Sequence, residues 1–254
     1  MIRAMSSTVA TVAAPAASAT RPMRVGAVSY LNTLPLIDGL EVLDGLDLRL
    51  SVPSLLIDAL TGGEVDVALC SAIDYLRSSV PLSIVPVGVL GSEGPTHTVR
   101  LYSQQPYESL EAIHCDTDSH TSIALLEVLM RARIGRCPEL VPYNARERTA
   151  GHRVIEEPAA MLLIGDKVVV DAPPESRYPY QLDLGAEWFE RTGLPFVFAT
   201  WMARRDDDPA HIAAIAAVLD RQRRMNRDRL DTIVHRRAAG RSWPDYLARH
   251  YLAS

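Results

Sequence analysis

From residue 24 onward, short apolar runs of strand length take turns with stretches of helical periodicity, and polar or glycine-bearing turns separate them. That alternation limits the chain to βα units built around largely parallel sheets. Residues 25–28 read as a strand that runs into the polar turn Ser29-Tyr30-Leu31-Asn32-Thr33, and Pro35 suits the first turn of a helix. Residues 48–52 form a second strand, after which Ser54 is placed to cap a helix closing at Gly62-Gly63. Strands follow at 65–69, 83–89 and 98–102. A second series then opens with a strand at 112–115, a polar turn at 116–121 and an apolar-faced helix at 122–133. It continues with a buried strand at 161–164, which ends at Gly165-Asp166, and a helix at 184–191 closed by Gly193. The chain returns through a strand at 196–202, and everything from Asp208 reads as two helices. One series interrupted by another predicts two lobes joined by a two-stranded hinge. Residues 24–103 and 197–254 are expected in the first lobe and 104–196 in the second.

Composition narrows the function classes. The formal net charge is -5, and Lys167 is the sole lysine. An acidic chain lacks the basic footprint of a nucleic-acid binder, and Schiff-base chemistry would have to rest on that one residue. Cys70, Cys115 and Cys137 are widely spaced and odd in number, so the pattern is neither a disulfide framework nor a CxxC site, and a reducing compartment is expected. No HExxH, P-loop or GxGxxG is written, so neither a metal nor a nucleotide cofactor is expected. No run approaches the length of a membrane span. Residues 1–23 are rich in Ala, Ser and Thr with a poor apolar stretch, which predicts a disordered extension rather than a secretion signal.

In open α/β sheets, ligands bind beyond the carboxyl ends of the strands, and the polar clusters lie there. Ser29, Asn32, Ser71, Thr96, Thr98, Ser119, Thr121 and Ser122 are uncharged donors at strand ends or helix starts, where backbone N–H groups and helix dipoles favour an anion. Taken singly, each is more simply a helix cap; it is their convergence that points to a small anionic ligand. His97 and His120 sit in polar loops as possible proton carriers, and Asp166-Lys167 is either a turn or a catalytic pair. The aromatics Trp188, Phe189, Phe196, Phe198 and Trp201 gather near the return crossing, as core or as ligand wall.

Several blocks resemble the chorismate dehydratase family of the futalosine route to menaquinone. They are Ser29-Tyr30-Leu31-Asn32-Thr33-Leu34-Pro35, residues 94–103, residues 116–122, Leu163-Ile164-Gly165-Asp166, and Thr192-Gly193-Leu194-Pro195-Phe196-Val197-Phe198-Ala199 with Trp201. The resemblance covers residues 24 to about 201. It implies a two-lobed α/β fold of the type II periplasmic-binding-protein kind, with mixed sheets, flanking helices and a cleft between lobes. It also implies a cytoplasmic hydro-lyase that removes water from chorismate to give 3-[(1-carboxyvinyl)oxy]benzoate without a cofactor. Asn32 and Ser71 are the expected catalytic residues. Ser29, Tyr30, Thr33, Thr98, Ser119, Thr121, Ser122 and Asp166 are expected to bind the substrate. The expected partner is that small molecule, with no nucleic acid and no membrane, the chain being a monomer or homodimer. Two rivals share the fold: the 1,4-dihydroxy-6-naphthoate synthase of the same pathway, and a solute-binding protein for a small organic anion.

Overall fold

The computed structural model describes residues 21–145 and 157–238; the expected N-terminal extension, as far as residue 20, lies outside them. The described chain begins before the expected boundary, because Met23 already opens a strand and Arg21 pairs with the buried Asp66 at 2.5 Å. In chain order the elements are β1 (Met23–Val28), α1 (Leu34–Ile37), β2 (Leu46–Ser51), α2 (Pro53–Thr61), β3 (Val67–Ser71), α3 (Asp74–Arg77), β4 (Leu82–Ser92) and β5 (Val99–Ser103). They continue with β6 (Ala112–Asp116), α4 (His120–Ile134), β7 (Glu139–Tyr143), β8 (Ala160–Ile164), α5 (Lys167–Val170), β9 (Tyr180–Asp183), α6 (Leu184–Thr192), β10 (Phe196–Arg204), α7 (Pro209–Asp228) and α8 (Leu230–Ala238).

Two five-stranded sheets result, ordered β2-β1-β3-β10-β4 and β7-β6-β8-β5-β9. Each has three parallel strands followed by antiparallel ones. Two of the inner parallel strands are continuous or nearly continuous apolar runs, as burial on both faces requires: β3 and β8 are buried throughout. Each sheet has its own core, one centred on Leu56, Leu60, Leu69 and Trp201, the other on Leu101, Ile113, Leu126 and Leu129.

The interrupted two-lobe order is as expected, but the seam is displaced. β5 lies in the second sheet, between β8 and β9, not in the first lobe. Its sequence alternates like any strand, and the partners that claim it are about sixty and eighty residues downstream, beyond the reach of local pattern. The outgoing crossing is therefore the segment between Ser92 and Val99. On the return, β10 straddles the seam: Phe196 and Phe198 pack on the second core, and Ala199, Trp201, Met202 and Ala203 on the first. The aromatic cluster is thus mainly core, with Trp188 and Phe196 ring centroids 5.1 Å apart.

Two local expectations are corrected. Ser54 does not cap α2; Val52 holds the cap position with extended backbone and Pro53 takes the first turn, where the missing N–H costs nothing. His120 is not in a loop but opens α4, whose cap is Ser119. α7 is docked by polar contacts: the buried amides of Gln222 and Asn226 both donate to the Asp38 carbonyl, at 2.6 and 2.8 Å.

Candidate functional site

The carboxyl ends of β1, β4 and β8, the amino-terminal end of the antiparallel β10 and the start of α4 converge on a cavity of about 180 Å³ between the two sheets. That is roughly a dozen times the space a single water needs. Its walls are Val28, Leu36, Val89, Leu90, Val99, Ile164 and Phe198, and its polar groups are Asn32, Ser92, Thr96, Thr98, Ser119 and Ser122. Among the described residues, none that lines it carries a formal charge. The polar side chains come from both lobes, so a ligand held here bridges them.

The electrostatics come from the backbone. Ser119 adopts the extended conformation of a helix cap, and its Oγ accepts from the Ser122 N–H at 3.2 Å and lies 3.0 Å from the Ser122 hydroxyl. Both serines face the cavity, which places the positive end of a fifteen-residue helix at its wall. Free N–H groups and dipole together favour a carboxylate there.

A second layer holds this turn. Asp116 and Asp118, both buried, accept from the Lys167 ammonium at 2.7 and 2.6 Å. Burial pushes the Asp116 carboxyl above its ordinary range, and the nearby ammonium pulls the other way. Asp118 also accepts from the Tyr30 hydroxyl at 2.8 Å, tying the first lobe to the second. Tyr30 lies flat against Gly165, where an added Cβ would come within 2.8–2.9 Å of the ring. Gly165 also has φ +67°, so both the backbone and the close approach require glycine.

Further contacts cross between the lobes. The Ser54 N–H donates to the Asp118 carbonyl at 3.1 Å, the Ile73 N–H to the Thr121 hydroxyl at 3.2 Å, and the Leu31 N–H to Asp166 Oδ1 at 3.1 Å. His120 Nδ1 meets Asp74 Oδ1 at 2.8 Å, and this hydrogen bond raises the histidine above its usual value.

The structure therefore sorts the residues singled out by sequence. Tyr30, Asn32, Thr98, Ser119 and Ser122 line the cavity together. Five others do not. Ser29 borders a separate depression with Leu48 and Leu50. Thr33 is fully buried behind Asn32, and Thr121 spends its hydroxyl on the Ile73 N–H. Asp166 is engaged with the Leu31 N–H. Ser71 ends β3 and is not among the lining residues, its Oγ buried without a hydrogen-bond partner. His97, His120 and Asp166, the protein bases that loop position suggested, are not among the lining residues.

Lys167 is committed to two carboxylates, so Asp166-Lys167 is a turn followed by a structural ion pair. Sequence reasoning overlooked Ser92 and Gly165 as lining residues; nothing local marks the end of β4 as facing a ligand. The thiols of Cys70 and Cys115 are buried, that of Cys115 pushed up to about 12 by desolvation. They are core atoms rather than nucleophiles. Among the described residues, no helix is long and apolar enough to cross a membrane.

Comparison with known proteins gives two kinds of likeness. Residues 23–253 match the protein family described as menaquinone biosynthesis. The chain is 31% identical over 246 residues to the chorismate dehydratase of Thermus thermophilus, covering 91% of this chain and 88% of that one. Among solved structures, a protein of Archaeoglobus fulgidus superposes with TM-score 0.68 at 15% identity, covering 92% of this chain and 88% of that one. The periplasmic aliphatic sulphonate binding protein of Escherichia coli superposes with TM-score 0.56, at 15% identity and coverage of 92% and 83%. The alkanesulfonate-binding protein of Xanthomonas axonopodis pv. citri, bound to MOPS, gives 0.57 at 16% identity, with coverage of 93% and 85%. The fold is that of the periplasmic binding proteins: two mixed α/β sheets with flanking helices and a cleft between them.

Proposed function

Because the chain belongs to the menaquinone-biosynthesis family and is 31% identical to the Thermus thermophilus chorismate dehydratase, we propose that it is an enzyme acting on chorismate. The reaction is a dehydration that yields 3-[(1-carboxyvinyl)oxy]benzoate and water. The observation that carries this reading is the cavity itself, lined from both lobes by neutral donors and apolar walls, with no charged side chain and a helix start at one side. Such a site suits a compact dicarboxylate with a ring.

Chorismate supplies its own driving force. Loss of the ring hydroxyl, together with the proton on the neighbouring carbon that bears the ether, turns a cyclohexadiene into a benzene ring. The enzyme has to hold the ring, stabilise charge on the departing hydroxyl and let one proton move. In this reading the α4 start, with Ser119 and Ser122, takes one carboxylate, and Thr98 takes part in holding the other end. Asn32 orients the departing hydroxyl, since an amide offers both a donor and an acceptor but cannot serve as a base at neutral pH. Among the described residues, no Asp, Glu or His lines the cavity. The proton acceptor is then the substrate's own enolpyruvyl carboxylate, attached through the ether to the carbon that loses the proton; the C–O bond to the hydroxyl breaks as the ring becomes aromatic, and the departing hydroxyl takes up that proton and leaves as water, so the carboxylate is restored. Closure of the lobes on the ligand excludes solvent.

Turnover and melting temperature of Asn32→Ala, Asn32→Asp and Asn32→Ser test the assignment. The alanine variant should lose about 10²-fold or more in turnover, with no rescue by aspartate. If Asn32 only supports the following helix, serine keeps near-normal turnover and the alanine variant loses only about 1 kcal/mol of stability.

A further inference from the structure

Asp183, where β9 passes into α6, is not among the residues that line the cavity, yet its carboxylate is surrounded by more donors than a helix cap needs. Oδ1 accepts from the backbone N–H groups of Gly185 and Ala186, both at 3.1 Å, which caps α6. The same carboxylate reaches the outgoing crossing between the lobes. Oδ1 accepts from the Thr96 N–H at 2.9 Å and Oδ2 from the His97 N–H at 2.8 Å, while the Thr96 hydroxyl lies 3.3 and 3.2 Å from the two oxygens. Half of its N–H donors therefore belong to the crossing rather than to the helix.

The chain of contacts continues into the site. Thr96 Oγ1 accepts from the N–H groups of Thr98 and Val99, at 3.2 and 3.0 Å, and Thr96, Thr98 and Val99 all line the cavity. Between them His97 has φ 60°, the only positive φ at a non-glycine position among the described residues. A residue in that region persists where its surroundings hold it, and the His97 N–H is held by Asp183. The helix is also pressed onto the crossing: a Cβ on Gly185 would lie 2.5 Å from Thr96 Cγ2 and 2.6 Å from the Gly94 carbonyl oxygen.

We infer that Asp183 is a positioning residue for the substrate site, its carboxylate setting the Thr96–Thr98 turn that presents Thr98 to the ligand and locking that turn to α6 of the second lobe. The inference rests on the chorismate reading only for its catalytic consequence. A displacement on the order of 1 Å at a positioning group costs about 10²-fold in rate, so a change at Asp183 should be felt in turnover although the residue is not part of the cavity wall.

Asp183→Ser separates the two duties, because serine still caps a helix start but is too short to hold the crossing as well. Two readouts are taken. In the ligand-free protein, amide hydrogen exchange at His97, Thr98 and Val99 should speed up by about tenfold or more, and far less at the amides inside α6. With chorismate, Asp183→Ser should lower kcat by about tenfold or more, and by much less when Thr98→Ala is already present, since the two act through one group. If Asp183→Ser does not fold, Thr96→Val, which keeps the α6 cap and removes the hydroxyl relay, takes its place in both readouts. Unchanged exchange at 97–99, or equal proportional losses of kcat in the two backgrounds, would overturn the inference. If the unaltered protein does not convert chorismate, the functional reading fails, and the exchange measurement still decides whether Asp183 holds the turn.

Discussion

Two clusters of buried charge among the described residues are built in opposite ways. At the amino-terminal edge of the first sheet, one carboxylate gathers many cations. Asp66 accepts from Arg21 at 2.5 Å and from Arg24 at 2.6 Å, with His211 at 3.3 Å and Arg204 at 4.0 Å. Burial works to raise its carboxyl, but the hydrogen bonds from Arg24 and His211 win, and it is held below the usual carboxylate range. In the second lobe, one ammonium serves two carboxylates, and Asp116 is pushed up instead. The first cluster joins segments of one lobe: β1, the approach to β3, the end of β10 and α7. The second joins α5 to the turn before α4, and through Tyr30 it reaches the other lobe. One carries the fold, the other carries the site.

Perturbing each cluster in turn tests this division. The largest effect is expected at Lys167→Met, which leaves Asp116 and Asp118 without the ammonium and loosens the turn that places Ser119. It should cost about 3–5 kcal/mol in denaturant unfolding and lower turnover as well. Asp66→Ala strands the facing arginines and should cost about 3 kcal/mol, yet kcat of the folded protein should stay as it was. Since the carboxyl of Asp66 is depressed, its contribution is present above the usual carboxylate value and is lost as pH falls through the lowered one. The stability gap between the unaltered and Asp66→Ala proteins should therefore close in acid.

A smaller loss is expected at Gly165→Ala, about 1–3 kcal/mol, from the left-handed backbone and the Tyr30 ring. Displacement of that ring should also raise KM. Smallest is the Asp74–His120 pair. Its histidine is raised, so its contribution is full below the ordinary histidine value and fades as pH climbs through the raised one. The partly exposed histidine keeps the effect near or below about 1 kcal/mol. Melting temperatures of the unaltered and Asp74→Asn proteins should converge at high pH.

The difference between the clusters also shows what a sequence can tell. The strand-turn-helix order around Val28, Asp116 and Ile164 was legible, because apolar runs and cap residues are local signals. So was the gathering of Asn32, Thr98, Ser119 and Ser122, which follows from where strands end. β7 and β9 were missed because they are short, half-exposed edge strands without an apolar run. Ser71 and Thr121 were read as ligand contacts because type and strand-end position match those of Ser119; only packing shows the Oγ of one buried without a partner and the hydroxyl of the other accepting from a backbone N–H. Asp183 did carry a signal, an Asp directly before the helical run from Leu184. That signal speaks only of a cap; its hold on a turn eighty-six residues away is tertiary.

The most direct test of the central claim is to incubate the purified protein with chorismate alone and follow the products by mass spectrometry. The account predicts conversion to 3-[(1-carboxyvinyl)oxy]benzoate, lighter than chorismate by one water, at a rate that collapses in Asn32→Ala. Chorismate recovered unchanged, or consumed equally by both proteins, would contradict it.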